Sequence, residues 1–482
     1  MIVDWTGIAA LALARLDVAV LVYFLTVNTF FAVLLGSAVW EMRQHLHATR
    51  GEERSRLLGS PVTPVISVLA PAFNEAETVE ESVKALLALY YSNLEVVVVN
   101  DGSKDTTIDV LIQKFDLVRI HTIYWRQIQT KPVRSLYRSR SYPELVVVDK
   151  ENGGKADALN AGLNLATGQL VCAIDADTLI EPDALQRMVR PFLHHDDVLA
   201  AGGTIRVVNG SVVRDGVVVA PRAPRRLLAG IQAVEYLRAF LFGRLGWNRL
   251  GGNLIISGAF GLFRREAVIA AGGYLHDTVG EDMELVLRLR QRGYETGGPH
   301  RVDFVPDPVA WTEVPESLKV LGRQRDRWQR GLADVLWRHR VLLFNPRYGA
   351  MGLVVFPYFL FVELLAPLVE AVGLVGVVVG LAVGAVSIPF SIMFFLAAYG
   401  YGLLLTVAAL VIDEFSYHYD QALVDRLLLL CWGCLESVVY RQLTVAWRLR
   451  GLLKYLRGRT DWGSMEHRGF AHADKPAPGP KG

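Results

Sequence analysis

Hydrophobic positions follow two regimes along this chain. Between residues 64 and 315, short β-branched runs alternate with stretches whose apolar residues recur every three or four positions; longer apolar runs flank that interval. Within it, residues 65–70 (Val65-Ile66-Ser67-Val68-Leu69-Ala70) predict a buried strand. Residues 77–91 predict a helix with Val79, Val83, Leu86, Leu87 and Tyr90 at helical spacing. Residues 95–99, 145–148 and 170–174 predict further strands, and 156–166 another helix. Such repetition with short connections implies parallel pairing in a doubly wound α/β sheet, whose ligands bind beyond the carboxyl ends of the strands.

The flanking runs read differently. Residues 18–40 carry no charge, and at about 1.5 Å per residue they cross a hydrocarbon core of roughly 30 Å. No basic segment precedes them and no small-residue cleavage site follows, which predicts an uncleaved anchor. Arg43, Arg50, Arg54 and Arg56 follow the run, whereas only Arg15, against Asp4 and Asp17, lies before it. Positive charge stays inside, so the following domain is expected in the cytoplasm of a multi-pass inner (plasma) membrane protein. A second region, 351–412, breaks near Ser387-Ile388-Pro389. Its parts predict a kinked or interfacial segment over 351–365 and spans over 366–386 and 390–412, with Glu363 and Glu370 facing protein or water. Residues 427–440 are short for a span and suit an interfacial or partly buried helix. Three spans are expected, with five as the upper count. Three also returns the basic tail (Arg448, Arg450, Lys454, Arg457, Arg459) to the cytoplasm.

Composition agrees with that division. Apolar residues make up 52% and charged ones 20%, with mean hydropathy +0.29, too apolar for a wholly soluble or a disordered chain. Fifty Lys and Arg against 48 Asp and Glu leave a net charge of +2, which gives no footprint for nucleic acid. Three cysteines build no disulfide framework and suit a reducing compartment.

The chemistry lies after the strands. Pro71-Ala72-Phe73-Asn74-Glu75 follows the first and Asn100-Asp101-Gly102-Ser103 the second. Asn152-Gly153-Gly154-Lys155-Ala156-Asp157 precedes a helix, and Asp175-Ala176-Asp177 follows the strand ending at Ile174. Any one cluster reads as turn chemistry. Four in order at one sheet edge, with carboxylates spaced i, i+2, point instead to a diphosphate and a hard divalent cation. Gly153-Gly154-Lys155 is no P-loop, because Asp149 stands where glycine is needed and Ala156 follows the lysine. Glu281-Asp282 opens a helical pattern, where acidic residues also suit a helix N-terminus. Gln324, Arg327 and Trp328 share one helix face at i, i+3 and i+4.

Asp101, Asp175-Ala176-Asp177, Glu281-Asp282 and Gln324-Arg325-Asp326-Arg327-Trp328, a QxxRW, together make residues 64–331 resemble the catalytic domain of the family 2 glycosyltransferases. The likeness is to the membrane-embedded processive branch of cellulose, hyaluronan, chitin-oligosaccharide and poly-N-acetylglucosamine synthases. That resemblance implies an α/β GT-A fold, Rossmann-like, fused to an α-helical transmembrane region. It implies an anchor and linker over 1–60, a GT-A domain with its QxxRW helix over 61–345, helices over 346–450 and a basic tail over 451–482. It also implies an inverting, Mg²⁺- or Mn²⁺-dependent enzyme that extends a β-linked polysaccharide from a UDP-sugar, N-acetylglucosamine first and glucose second. By resemblance, Phe73, Glu75, Asp101 and Lys155 line the uridine, Asp175 contacts the nucleotide, and Asp177, with Asp175, holds the metal. Asp282 is the implied base with Glu281 beside it, Ser257 and Gly258 begin an acceptor-side loop, Arg327 holds the diphosphate with Gln324 among the substrate-binding residues, and Trp328 offers a face to the acceptor sugar. Gly280 stands where the family carries threonine, and the acceptor loop lacks the cysteine of cellulose synthases.

The implied partners are a UDP-sugar, a growing glycan or lipid acceptor and membrane lipids, with a second copy or an accessory secretion subunit and no nucleic acid. Rival readings are a single-step transferase to lipid and a silent membrane scaffold or receptor. An exit path would use Tyr358, Glu363, Glu370, Tyr399, Trp432, Glu436 and Tyr440, the two glutamates seven apart sharing a helical stripe. His194-His195-Asp196-Asp197 reads as a solvated loop, Cys431 and Cys434 as no zinc site, and Asn209-Gly210-Ser211 as a turn. A basic insertion, 122–144, with Arg126, Lys131, Arg134, Arg138 and Arg140, is left without a role by the motifs.

Overall fold

The structure is a computed structural model that describes residues 5–49, 63–175, 178–214, 216–417, 422–436 and 440–458. The chain divides into two compact units. An α/β unit comprises His47–Arg225, Asn253–Val314 and Ser464–Gly482, and a helical unit Met1–Leu46, Arg226–Gly252 and Pro315–Gly463. The helix Leu318–Arg338, which bears QxxRW, is thus counted with the terminal apolar helices.

Among the described residues of the α/β unit there are twelve strands: β1 (Ile66–Ala72), β2 (Leu94–Asp101), β3 (Leu117–Ile120), β4 (Val133–Ser139), β5 (Leu145–Lys150), β6 (Leu170–Ile174), β7 (Thr178–Ile180), β8 (Val198–Val207), β9 (Val212–Arg214), β10 (Val217–Ala220), β11 (Phe260–Arg264) and β12 (Arg301–Thr312). Ten make one sheet, ordered β3-β4-β5-β2-β1-β6-β11-β8-β12-β7. Its centre, β5-β2-β1-β6, is parallel, with Val68 opposite Val96 on one side and Cys172 on the other. These strands are nearly continuous apolar runs, as strands covered on both faces require.

The strands read from periodicity pair in parallel, as expected, and the sheet as a whole is mixed. β11 runs antiparallel to β6 and β8, and β4 antiparallel to β3 and β5. β4 lies within the stretch read as a basic insertion, 122–144, and β3 just before it; exposed arginines at an edge hide the apolar alternation that marks a strand. The helix Lys155–Leu165 packs Leu159 and Leu163 into a core with Leu69, Val97, Val99 and Val148.

Among the described residues, two helices are long and apolar enough to cross a membrane, Leu11–Ala48 and Ile388–Glu414. A third span exists if Met351–Leu364 and Ala366–Ala382, bent by 45°, count as one. The first helix runs Trp5–Thr49, well beyond the predicted 18–40. The bend at Leu365 breaks the stripe expected to join Glu363 to Glu370. Glu370 pairs instead with Arg441 (2.7 Å), while Glu363 accepts from the Tyr358 hydroxyl (3.0 Å) and its carbonyl from Arg448.

Several charges among these helices are paired, although both oxygens of the buried Asp17 carboxylate are without a hydrogen-bond partner among the described residues. Arg325 meets Glu235 at 2.7 Å, and the Tyr440 hydroxyl donates to the same carboxylate at 2.9 Å. Arg238 meets Glu436 at 2.5 Å. Tyr358 lies in an aromatic cluster with Phe30 and Trp247, Tyr399 under the Arg441 guanidinium, and Trp432 against Gly230.

Asp326, buried on Leu318–Arg338, accepts from Arg330 at 3.0 Å and pairs with Lys454 of the helix Arg441–Leu456. Asp326→Asn keeps the shape and strands both cations. We expect a loss of about 3 kcal/mol, the scale of a broken buried pair, read as a lower thermal midpoint in detergent. An unchanged midpoint would show that Lys454 and Arg330 need no buried counter-ion.

Candidate active site

The parallel strands end at one edge, and their loops interlock there. Asn74, just past β1, adopts φ 58°, a left-handed conformation that asparagine tolerates better than most residues. Its N–H donates to Ser103 Oγ (2.9 Å), and its Oδ1 accepts from the Lys104 N–H (2.8 Å). The Glu75 N–H donates to Thr107 Oγ1 (2.9 Å) and the Ala76 N–H to Asp105 (3.1 Å). The loops after β1 and β2 therefore move as one. Phe73 projects with 45% of its surface exposed. A cleft beside it is lined by Pro71, Ala72, Glu75, Val83, Ile174 and Asp175.

Asp101, at the end of β2, is buried and fully engaged. Its carboxylate accepts the N–H groups of Gly153 (3.0 Å) and Gly154 (2.7 Å) and pairs with Lys150 Nζ (2.6 Å). Lys150 has no exposed surface and also pairs with Asp157 at 2.5 Å. Gly154 takes φ 88°, a conformation open to glycine, at the start of the helix Lys155–Leu165. Sequence reading passed over Lys150 and gave Asp157 no role beyond its polar cluster. The available signal was a lysine one residue past Asp149, at the end of the apolar run Leu145-Val146-Val147-Val148.

The helix begins with Lys155, whose ammonium pairs with Asp175 and lies 3.9 Å from Glu281. Burial alone would depress that ammonium; the carboxylates of Asp175, Glu281 and Asp282 outweigh it and hold it above the usual lysine range. Glu281 and Asp282 open the helix Glu281–Thr296, as expected. Burial raises the Glu281 carboxyl above the usual range, against the pull of Lys155 and with help from Asp282. Asp282 is oriented by backbone donors, accepting from the Gly258 N–H at 3.1 Å and the Met283 N–H at 2.8 Å. Ser257 Oγ accepts from the Ala259 N–H at 3.4 Å, closing the turn that carries Gly258.

Six of the expected residues thus share one cluster: Lys155, Asp175, Glu281, Asp282, Ser257 and Gly258. Asp101 acts on it through the Gly153-Gly154 turn. Asp177 lies outside the described residues. Gln324, Arg327 and Trp328 stand on the helix Leu318–Arg338 in the other unit. There Gln324 Oε1 is buried with no donor among the described residues, and the Arg325 guanidinium lies 4.4 Å over the Trp328 ring. Among the described residues, no three His, Cys, Asp or Glu side chains are grouped to hold a metal. Asp175 is nonetheless a hard oxygen donor at the edge, the kind a cation uses when it draws its remaining ligands from diphosphate and water.

Compared with known proteins, residues 67–270 match the family described as Glycosyl transferase family 2, and residues 170–412 match Glycosyl transferase family group 2. Poly-beta-1,6-N-acetyl-D-glucosamine synthase of Staphylococcus aureus (strain COL) is 31% identical over 274 residues, 57% of this chain and 56% of that protein. The synthase of the same name from Staphylococcus epidermidis is 30% identical over the same shares. The chain thus spans about half the length of the curated relatives it matches. Among solved structures, the mannosyltransferase PcManGT from Pyrobaculum calidifontis, in complex with GDP-Man and Mn²⁺, is 20% identical over 87% of this chain and 99% of that one. Its TM-score is 0.47, a likeness too slight to bear on function.

The raised Glu281 carboxyl has a pH signature. In the fold it binds its proton more tightly than in the unfolded chain. Its contribution to stability is therefore full below the ordinary carboxylate range and lost as pH rises through the folded value. Glu281→Gln removes that titration. With divalent cations chelated, the variant's thermal midpoint should gain on wild type between pH 5 and pH 8. A gap that stays constant with pH would show that Glu281 is not held protonated by its surroundings.

Proposed function

The chain belongs to glycosyl transferase family group 2, and we propose that it extends a β-linked polysaccharide from a UDP-sugar, with inversion, at the cytoplasmic face of the membrane. Its α/β unit carries the family's GT-A fold. The observation that bears most weight is the convergence of Lys155, Asp175, Glu281 and Asp282 on the Gly258 turn. A lone acidic pair at a helix start would be ordinary; an ammonium and three carboxylates from three separate segments at the ligand edge of the sheet are not.

In this reading the Phe73 ring and the Lys155 stem flank the uracil, with Glu75 and the Asp101-braced turn behind them. Asp282 accepts the proton of the acceptor hydroxyl. The hydroxyl oxygen forms a bond to the anomeric carbon from the face opposite the diphosphate, the carbon–oxygen bond to phosphate breaks, and UDP departs with the electron pair. The backbone N–H groups of Gly258 and Met283 hold the Asp282 carboxylate in place for this step. Lys155 stands where it can donate to the nucleotide, next to Asp175. A divalent cation, held by Asp175 and Asp177, would supply charge neutralisation for the diphosphate. Arg327 and Gln324 would bind diphosphate and Trp328 the acceptor sugar.

The names of the staphylococcal relatives support N-acetylglucosamine as the first sugar to try, with glucose second. Arg43, Arg50, Arg54 and Arg56 after the first apolar run support the cytoplasmic side. Translocation of the product belongs to the same proposal, with the ionic groups among the apolar helices as its support.

Asp282→Asn, incubated in membranes with radiolabelled UDP-N-acetylglucosamine, should lose about 10²–10⁴-fold in polymer formation while calorimetric UDP affinity is retained. Wild-type polymer yield from this variant and from Asp177→Ala would sink the assignment. A product one sugar long on a gel would instead favour transfer to lipid. Absence of UDP binding with Mn²⁺ in the wild type would favour the silent scaffold.

A further inference from the structure

The β3–β4 connection plays no part in the chemistry above, yet its character is marked. Residues 117–140 contain Arg119, Arg126, Lys131, Arg134, Arg138 and Arg140 and not one Asp or Glu. All six cations are exposed, and among the described residues none is paired with a carboxylate. At the tip of the connection Ile123 is wholly exposed and Trp125 is 83% exposed. Large apolar side chains so placed, inside a run of uncompensated positive charge, call for a partner.

This exposure belongs to a braced loop. Ile128 is buried, and the N–H groups of Gln127 and Ile128 donate to Asn164 Oδ1 at 3.0 and 2.9 Å. The Lys131 N–H donates to Asp157 at 3.1 Å, and Tyr124 packs on the core. The tip is held out by its base.

The sheet also sets the direction. β3 is antiparallel to β4, and β4 to β5, so β3 runs with β5, β2 and β1. The connection therefore leaves the sheet at the same edge as Asp101 and Asp175. Four strand steps separate β4 from β6 in the sheet order, about 19 Å at the usual strand spacing. Strand β4 itself therefore stands away from Asp175.

We propose that residues 121–126 dock the catalytic unit on an anionic lipid surface, Ile123 and Trp125 entering the headgroup layer while Arg126, Lys131, Arg134 and Arg138 face lipid phosphates. Indole, apolar on its body and polar at N–H, favours this interface. Clustered Lys and Arg beside it read anionic headgroups. A glycan or a nucleotide would give the isoleucine nothing to bind. The chain also carries helices long and apolar enough to cross a bilayer.

The test uses the full chain in lipid nanodiscs and needs no sugar transfer. Ile123→Cys, in a Cys431→Ser, Cys434→Ser background with Cys172 buried, takes an environment-sensitive fluorophore. In phosphatidylcholine discs containing phosphatidylglycerol, its emission should shift blue and be quenched by spin-labelled lipid. Both effects should fade in pure phosphatidylcholine and at high salt, where screening shortens to about 3 Å. Arg126→Gln should weaken the docked state roughly fivefold. Water-exposed emission in every disc would overturn the proposal, as would quenching equal in neutral and anionic lipid. Protection that appears only on adding purified glycan or an acidic protein would overturn it too.

Discussion

A buried lysine between two buried carboxylates underlies the candidate site. Lys150 has no contact with water, and an isolated ammonium there would be far too costly to keep charged. Asp101 and Asp157 make it tolerable, one from the end of a strand and the other from the following helix. The pairing commits both acids. Asp101 spends its remaining acceptor capacity on the Gly153-Gly154 turn, and Asp157 accepts the Lys131 N–H. The geometry of the turn, and so the position of Lys155, follows from satisfying one charge.

The helix that starts at Lys155 extends this logic along one face. Asp157, Asn160 and Asn164 are three and four apart and therefore neighbours, all buried where apolar residues would be expected. Asn160 clamps Tyr274 by both its N–H (2.8 Å) and its carbonyl (2.9 Å). Asn164 does the same for Ile128, at 2.9 and 2.8 Å. Each such satisfied bond contributes about 1 kcal/mol net, but losing one partner strands a buried polar group at a larger cost. A single helix thereby ties the segment leading to Glu281, the β3–β4 loop and the end of β2 to the lysine at its own start.

The helical unit obeys the same rule in a drier setting. Arg325 and Asp326, the two unspecified positions inside QxxRW, are its buried members, tied to Glu235 and Lys454. Gly322 lies against Trp447 and Gly451 against the Asp326 carbonyl, so two helices approach closely enough for those pairs to form. The motif is an anchoring device as well as a presentation of Gln324, Arg327 and Trp328.

Periodicity alone located β1, β2, β5 and β6, the helices Val79–Leu87 and Lys155–Leu165 and the long apolar helices, because burial on both faces, on one face or in lipid leaves distinct patterns in a linear sequence. The order of polar clusters after those strands, read with the family resemblance, was enough to name Lys155, Asp175, Glu281 and Asp282. What the sequence could not determine depends on contacts between distant residues. β11 pairs with β6 across about 90 positions, and its direction is set by that pairing. Asp101 reads as a ligand until Lys150 and the glycine turn are seen around its carboxylate. Lys150 itself looks like a solvated strand end, since nothing in a local window distinguishes a cation facing water from one enclosed by two acids. The β3–β4 insertion looked featureless for a related reason. An edge hairpin exposes its charges, and only the tertiary bonds from Asn164 and Asp157 show that its tip is held out rather than loose. Local spacing decides what a segment can become, and burial, which depends on the whole fold, decides what each charge on it must do.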